Sequence, residues 1–199
     1  MTAPSGWVLV VDDDAADRMA LFRLLERAGH HVTVADGGQA ALELLRAETF
    51  DLVLLDLLMP GPDGFAVLEA MKGDRWLPAV PVIAITALDD PGSVERSIGL
   101  GAEDYLAKPV DPVLLRSRVD ASLEKKRLRE REGEYLDVVG SVAQAADAVA
   151  KDEFEPESLE PAARRADPLG QLARAVRDLA SRVSELRRQL EQAGSGPAA

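Results

Sequence analysis

Five short apolar runs alternate with amphipathic stretches over the first 110 residues, and this order constrains the fold more than any other feature of the chain. The runs predict strands at residues 7–11, 31–35, 51–56, 80–86 and 103–107. Apolar residues recur with helical spacing between them, and such alternation is typical of a parallel sheet. The sequence therefore predicts an α/β fold, a doubly wound, five-stranded parallel sheet in which ligands bind at the carboxyl ends of the strands.

The alternation of strands and helices ends at Asp111. This residue is a good helix N-cap and Pro112 suits the first helical position, so a long helix is predicted over residues 112–152. A proline-containing connector follows, and a final helix begins near Pro168. We divide the chain into an α/β domain, an extended helix, a connector, a second coiled-coil helix and a flexible tail, at residues 5–122, 123–152, 153–168, 169–193 and 194–199.

The final helix carries apolar residues at alternating intervals of three and four, which is the a/d pattern of a coiled coil. The residues of this seam are Leu169, Leu172, Val176, Leu179, Val183, Leu186 and Leu190. A weaker seam in the long helix consists of Tyr135, Val139, Val142, Ala146 and Val149. The two helices could fold back on each other within one chain, but a four-helix bundle of two chains would cover both seams. We therefore expect a homodimer through the C-terminal helices.

The net charge of −12 limits the classes of partner. Residues 1–120 hold 10 Lys and Arg against 20 Asp and Glu, and residues 121–199 hold 13 against 15, so neither part has the basic surface that nucleic acid attracts. The absence of cysteine excludes disulfides and thiolate metal sites. The longest apolar runs are too short to span a bilayer, and the N-terminus carries no export signal. We expect a cytoplasmic protein with no membrane insertion and no direct contact with nucleic acid.

Polar side chains stand where the predicted strands end. They are Asp12 and Asp13 after the first strand, Asp56 and Thr86 at the ends of the third and fourth, and Lys108 after the fifth. Parallel strands present their carboxyl ends at one edge, so these residues should meet on one rim. Converging carboxylates repel unless a cation lies between them, and Mg²⁺ prefers such oxygen ligands. A carboxylate there could attack a phosphoryl group, while Lys108 and Thr86 contact the other phosphoryl oxygens.

The sequence around these residues closely resembles the receiver domain of two-component response regulators, the CheY-like superfamily. Four segments carry the resemblance, at residues 8–13 (VLVVDD), 51–64 (DLVLLDLLMPGPDG), 83–87 (IAITA) and 101–109 (GAEDYLAKP). It implies phosphorylation of Asp56 and Mg²⁺ held by Asp13, Asp56 and the backbone carbonyl of Leu58, with Asp12 binding the metal directly or through water. It also implies a cis Lys108–Pro109 bond. The implied phosphoryl donor is a sensor histidine kinase or a histidine phosphotransfer protein.

The same resemblance assigns a switch role to Thr86 and to Tyr105, which matches the family's switch aromatic residue. The alternative for Tyr105 is a half-buried strand tyrosine whose hydroxyl lies in water. Structural interpretations suit several other polar residues near the rim. Asp14 is expected to cap the first helix, Asp63 to form the turn that starts the third, and His30 to lie at a helix–strand junction without binding a metal.

Residues 138–190 resemble a HAMP-type pair of signalling helices. The segment 165–174, RADPLGQLAR, is similar to the motif that opens the second HAMP helix, although Pro168 replaces an acidic residue and the first helix lacks an early proline. No DNA-binding, cyclase or ATPase signature follows the receiver-like part. We interpret the chain as a dimeric regulator that signals to an unidentified downstream protein, with no enzyme activity beyond its own phosphorylation and dephosphorylation. The alternatives are a constitutively dimeric scaffold and the regulatory part of a larger cyclase or phosphatase system.

Overall fold

The computed structural model describes residues 5–74, 77, 80–87, 91–151 and 153–194. The chain divides into two compact units, Met1–Leu128 and Arg129–Ala199. The strands are β1 (Trp7–Val11), β2 (His31–Ala35), β3 (Leu52–Asp56), β4 (Val82–Ala87) and β5 (Asp104–Lys108). The helices that follow them are α1 (Ala15–Arg27), α2 (Gly38–Ala47), α3 (Gly64–Gly73), α4 (Pro91–Gly99) and α5 (Pro112–Lys151). The predicted domain boundary after residue 122 and the boundary between the units both fall within α5.

The five strands form one parallel sheet in the order β2-β1-β3-β4-β5, which confirms the predicted fold class. The predicted fourth strand begins two residues too early, because Pro81 has no N–H to donate. The carbonyl of Pro81 accepts the N–H of Val53 (3.0 Å), and the ladder then begins with the pair Val53 and Val82.

The core lies on both faces of the sheet, since successive side chains of a strand point to opposite sides. Leu9, Leu55 and Phe65 belong to the buried cluster on one face, and Leu54 and Leu123 to the cluster on the other. Helices thus cover both faces, which is why the central strands β1, β3 and β4 are continuous apolar runs in the sequence.

Helices α1, α3 and α5 begin behind an aspartate whose carboxylate accepts N–H groups of the first turn, namely Asp14, Asp63 and Asp111. Each such cap contributes about 1 kcal/mol, because the first N–H groups of a helix have no partner within it. The structural interpretations of Asp14 and Asp63 are confirmed. These caps also fix where α1 and α3 start, directly behind the ends of β1 and β3.

The second unit pairs the C-terminal part of α5 with α7 (Pro168–Gly194), through a connector that contains a 3-10 turn (Pro156–Leu159) and the short helix α6 (Glu160–Ala163). Val138 of α5 is buried with Ala173 near the start of α7, and the Arg187 guanidinium further along α7 donates to the Val149 carbonyl further along α5. The two helices therefore run in the same direction, so they do not form the antiparallel hairpin that a short turn would give.

Within the second unit, α5 and α7 pack against each other through residues that stand next to the predicted seams. The buried residues are Val138 and Ala145 on α5 and Ala173 and Ala180 on α7. The rows next to them remain exposed. On α5 these are Tyr135 and Val139, and on α7 they are Leu172, Leu179, Leu186 and Leu190, which are 45%, 63%, 58% and 72% exposed and are called here the outer leucine row.

Two further predictions concern the C-terminal tail and membrane insertion. Of the predicted tail at 194–199, Gly194 is the last residue of α7, and residues 195–199 lie outside the described part of the chain. Within the described ranges, no helix combines the length and the apolar character needed to cross a membrane.

Gly170→Ala is expected to destabilise the second unit, because a β-carbon at this position would lie 2.0 Å from the carbonyl oxygen of Arg165. Overpacking of this kind costs about 1–3 kcal/mol. The matched control is Gly133→Ala in α5, where a β-carbon meets nothing within 4 Å, and where alanine should add roughly 0.5–1 kcal/mol of stability. Urea unfolding followed by circular dichroism compares the two variants, and equal stability would contradict the close approach at Gly170.

Candidate functional site

The order of the strands places a crevice at the carboxyl ends of β1 and β3. The chain winds from β1 to β2 on one side and continues through β3, β4 and β5 on the other, so the flanking loops diverge at this point. Asp12 follows β1, Asp56 ends β3 and Lys108 ends β5. The sheet therefore brings residues that are distant in sequence to one rim, as predicted.

Three carboxylates converge in the crevice. Asp12, Asp13 and Asp56, called here the acid cluster, each offer an oxygen within 4.8 Å of the others. Asp12 and Asp56 are buried and Asp13 is exposed. Burial raises the pKa of the Asp12 carboxyl above its usual value, and the hydrogen bond from Lys108 offsets this only in part. Closely spaced oxygen ligands, one of them open to solvent, fit a hard divalent cation such as Mg²⁺.

Lys108 bridges the acid cluster. Its Nζ lies 2.6 Å from Oδ2 of Asp56, 2.9 Å from Oδ2 of Asp12 and 3.0 Å from Oδ2 of Asp17. Burial acts to lower the pKa of the ammonium, but the hydrogen bonds to the three carboxylates outweigh it, and the pKa of Lys108 lies above its ordinary value. The three carboxylates therefore favour the positively charged form of the lysine. The Lys108–Pro109 bond is cis, as the resemblance implied.

Local hydrogen bonds hold the acidic side chains in place. Oδ1 of Asp12 accepts the N–H of Asp14 (2.9 Å), and Oδ1 of Asp56 accepts the N–H of Leu58 (3.0 Å). Gly64 passes so close to Asp56 that a β-carbon there would lie 2.3 Å from the Asp56 carbonyl oxygen. The Asp63-Gly64 pair of the motif therefore has a packing role behind the site.

Thr86 and Tyr105 lie on neighbouring strands of the same edge. Thr86 is 1% exposed, and its Oγ1 has no hydrogen-bond partner among the described residues. Tyr105 pairs with Ala84 in the β4–β5 ladder and is 41% exposed, which suits both a switch and a strand tyrosine with a hydrated hydroxyl. The roles of Thr86 and Tyr105, and that of the Leu58 carbonyl as a metal ligand, remain predictions.

Two residues of the site were missed in the sequence. Asp17 pairs with Lys108, and the guanidinium of Arg18 donates to the backbone carbonyls of Asp12 (2.6 Å) and Asp13 (3.3 Å). Both residues lie in the first turn of α1, immediately behind the acid cluster. The sequence feature that could have identified them is the capping aspartate at position 14, because it fixes which turn of α1 faces the rim.

The remaining polar residues have structural partners. His30 is buried and its Nδ1 accepts the N–H of Gly6 (3.3 Å), while the ring of His31 lies near that of Trp7. Asp104 accepts a hydrogen bond from Arg118 of α5 at 2.6 Å.

Comparison with known proteins identifies the family of the α/β unit. Residues 8–120 match the family described as the response regulator receiver domain. The chain belongs to this family. It is 35% identical over 151 residues to the response regulator PleD of Caulobacter vibrioides, covering 73% of this chain and 33% of PleD. It is 37% identical over 116 residues to the protein PilH of Pseudomonas aeruginosa, covering 58% of this chain and 96% of PilH.

Solved structures of receiver-containing proteins superpose on the same part of the chain. A CheY-like response regulator receiver domain protein from Methanospirillum hungatei superposes with a TM-score of 0.59 at 28% identity, covering 63% of this chain and 99% of that one. A two-component system response regulator/GGDEF domain protein superposes with a TM-score of 0.58 at 30% identity, covering 61% of this chain and 50% of that one. The matched part of the chain thus spans about a third of PleD and half of the GGDEF domain protein, but nearly all of PilH.

Proposed function

We propose that this response regulator receiver accepts a phosphoryl group on Asp56, in a Mg²⁺-dependent reaction, from a sensor histidine kinase or a histidine phosphotransfer protein. The observation that carries the proposal is the placement of Asp56: a buried carboxylate within 4.8 Å of two others and 2.6 Å from the ammonium of Lys108. No packing requirement explains such a concentration of charge, whereas phosphoryl transfer requires charge of both signs around the reacting group.

The proposed reaction is an in-line displacement at phosphorus. An oxygen of Asp56 forms a bond to phosphorus while the bond from phosphorus to the donor histidine nitrogen breaks, and the electron pair remains on that nitrogen. Lys108 exchanges its contact with the Asp56 carboxylate for one with a phosphoryl oxygen. Asp12, Asp13, Asp56 and the Leu58 carbonyl would hold Mg²⁺, which when bound neutralises charge on the phosphoryl oxygens.

The hydroxyl of Thr86 is the proposed sensor of the phosphoryl group. A buried hydroxyl without a partner costs about 1–3 kcal/mol, and a phosphoryl oxygen at the rim would remove that cost. Movement of Thr86 towards the rim would free space beside the adjacent strand β5, into which Tyr105 could turn. This is the proposed link from phosphorylation to the outer surface of the sheet.

The proposed output runs through a homodimer of the C-terminal helices to a downstream protein. The outer leucine row supports it, because large apolar side chains that are exposed along one side of α7 favour association. The parallel course of α5 and α7 within one chain also supports the HAMP-like interpretation. Two copies would then form a four-helix bundle that buries the outer leucine row and the exposed row of α5.

A regulatory part of a larger cyclase system is the second candidate. Its support is the likeness to a GGDEF domain protein, of which this chain matches 50%. The constitutive scaffold is the weaker alternative, because a scaffold has no use for the acid cluster and Lys108.

Asp56→Asn tests the phosphoacceptor. Incubation of the full chain with Mg²⁺ and acetyl phosphate is expected to add the mass of one phosphoryl group to the natural protein and none to the variant, since the amide is not a nucleophile at phosphorus. The matched control is Asp51→Asn just before the same strand, where the carboxylate binds Lys126 and the N–H of Trp7 instead of the rim. Intact mass spectrometry reads the result, and equal labelling of Asp56→Asn would overturn the assignment.

A further inference from the structure

Lys108 has a third carboxylate partner, Asp17, which lies outside the acid cluster. Its Oδ2 is 3.0 Å from Nζ of Lys108, and its side chain is 51% exposed. An ammonium group has three N–H donors. Two of those of Lys108 form hydrogen bonds to Asp56 and Asp12, and the same ammonium forms an ion pair with Asp17. A phosphoryl oxygen on Asp56 would therefore have to share the Lys108 ammonium with these carboxylates.

The backbone beneath Asp17 is fixed, so the contact is built into the fold. The N–H of Asp17 donates to the capping carboxylate of Asp14 (3.0 Å). The next residue, Arg18, is tied to the carbonyls of Asp12 and Asp13. The first turn of α1 is thereby anchored at Asp17 and at the residue that follows it, which places the Asp17 side chain beside Lys108.

We propose that Asp17 is a positioning residue that holds the ammonium of Lys108 on the α1 side of the crevice and opposes the build-up of negative charge on Asp56. This inference rests on the proposed phosphorylation of Asp56. It adds that Asp17 limits the extent of that phosphorylation. The ammonium group of Lys108 would lie between the carboxylate of Asp17 and a phosphoryl oxygen on Asp56. At that separation, with partial exposure to solvent, the repulsion corresponds to roughly a three- to tenfold change in binding of the anion.

The charge argument predicts opposite effects on the two ions of the site. Loss of the Asp17 charge should strengthen binding of beryllofluoride, an anionic phosphoryl analogue, and should weaken or leave unchanged the binding of Mg²⁺. A merely structural role would move both affinities in the same direction, because a disturbed crevice would hold neither ion well. The effect on beryllofluoride should also shrink at high ionic strength, as Asp17 is half exposed.

Asp17→Asn is the test, with Asp17→Ser as a second variant that removes the same charge. Asp17→Glu should retain the natural affinities. The matched control is Glu26→Gln, which removes one exposed carboxylate near the other end of α1. Calorimetric titration of the full chain with Mg²⁺, and then with beryllofluoride at saturating Mg²⁺, should give roughly three- to tenfold tighter beryllofluoride binding for Asp17→Asn and Asp17→Ser only.

Each other outcome has a definite meaning. Beryllofluoride affinities of Asp17→Asn and Glu26→Gln that both equal the natural value would overturn the role of Asp17 and leave the phosphoacceptor proposal standing. Weaker binding of both ions to Asp17→Asn and Asp17→Ser would assign Asp17 a structural role and overturn the charge argument. No beryllofluoride binding by the natural protein, together with no labelling by acetyl phosphate, would remove the proposed function itself.

Discussion

Leu179→Glu is expected to convert a dimer of this chain into monomers without affecting phosphorylation of Asp56. Leu179 stands in the middle of the outer leucine row and is 63% exposed within one chain. In a two-chain bundle it would be buried near the axis, so the variant would place two carboxylates there. Burying an ion without a partner costs several kcal/mol, which exceeds what a short bundle of this kind can tolerate. In a single chain the same glutamate would lie in water at little cost.

The matched control for this variant is Gln171→Glu. It makes the same change of charge on the same helix at an exposed position outside the outer leucine row, and near the start of α7 a negative charge is favourable. Light scattering at micromolar concentration should find dimers for the natural chain and for this control. A natural chain that is monomeric, or a Leu179→Glu variant that remains dimeric, would contradict the bundle.

Asp13→Ala is expected to abolish phosphorylation by acetyl phosphate while leaving the fold intact. Asp13 is the exposed member of the acid cluster and contributes nothing to either core cluster. Its removal deletes one of three negative charges that would hold the metal, and without charge neutralisation the phosphoryl oxygens repel the Asp56 carboxylate. A chelator should produce the same loss in the natural protein.

The stability of Asp13→Ala separates this explanation from simple unfolding. In metal-free buffer the variant should melt at the natural temperature or slightly above it, since carboxylates of like charge repel each other. Asp36→Ala, which removes an exposed acid after β2, is the control and should retain full phosphorylation. A clear drop in the melting temperature of Asp13→Ala would mean that the loss of activity reflects damage to the fold.

The α/β unit could be predicted in detail because its signals are local. A strand buried on both faces must be apolar throughout, as residues 52–55 are, and a helix that starts behind it needs a cap such as Asp14. The position of the polar residues at the rim could be predicted in the same way, since the topology of a parallel sheet brings the carboxyl ends of all its strands to one edge. The predicted bounds differ by one residue at β3 and β5 and by two at the start of β4, where a proline outside the ladder resembled part of the strand.

The sequence by itself thus determined the order of the strands and helices, the acidic residues at the rim and the presence of two helices with apolar seams. Only the tertiary structure decided which groups those residues meet. Lys108 and Asp12 are 96 positions apart, and no local pattern shows that Asp17 joins them. Similarly, the spacing of apolar residues along α7 does not show which side of the helix packs within the chain. The return of the connector along α5 decided that Ala173 and Ala180 face inwards and that the leucines remain exposed, because packing depends on the path of the whole chain and not on the spacing along one helix.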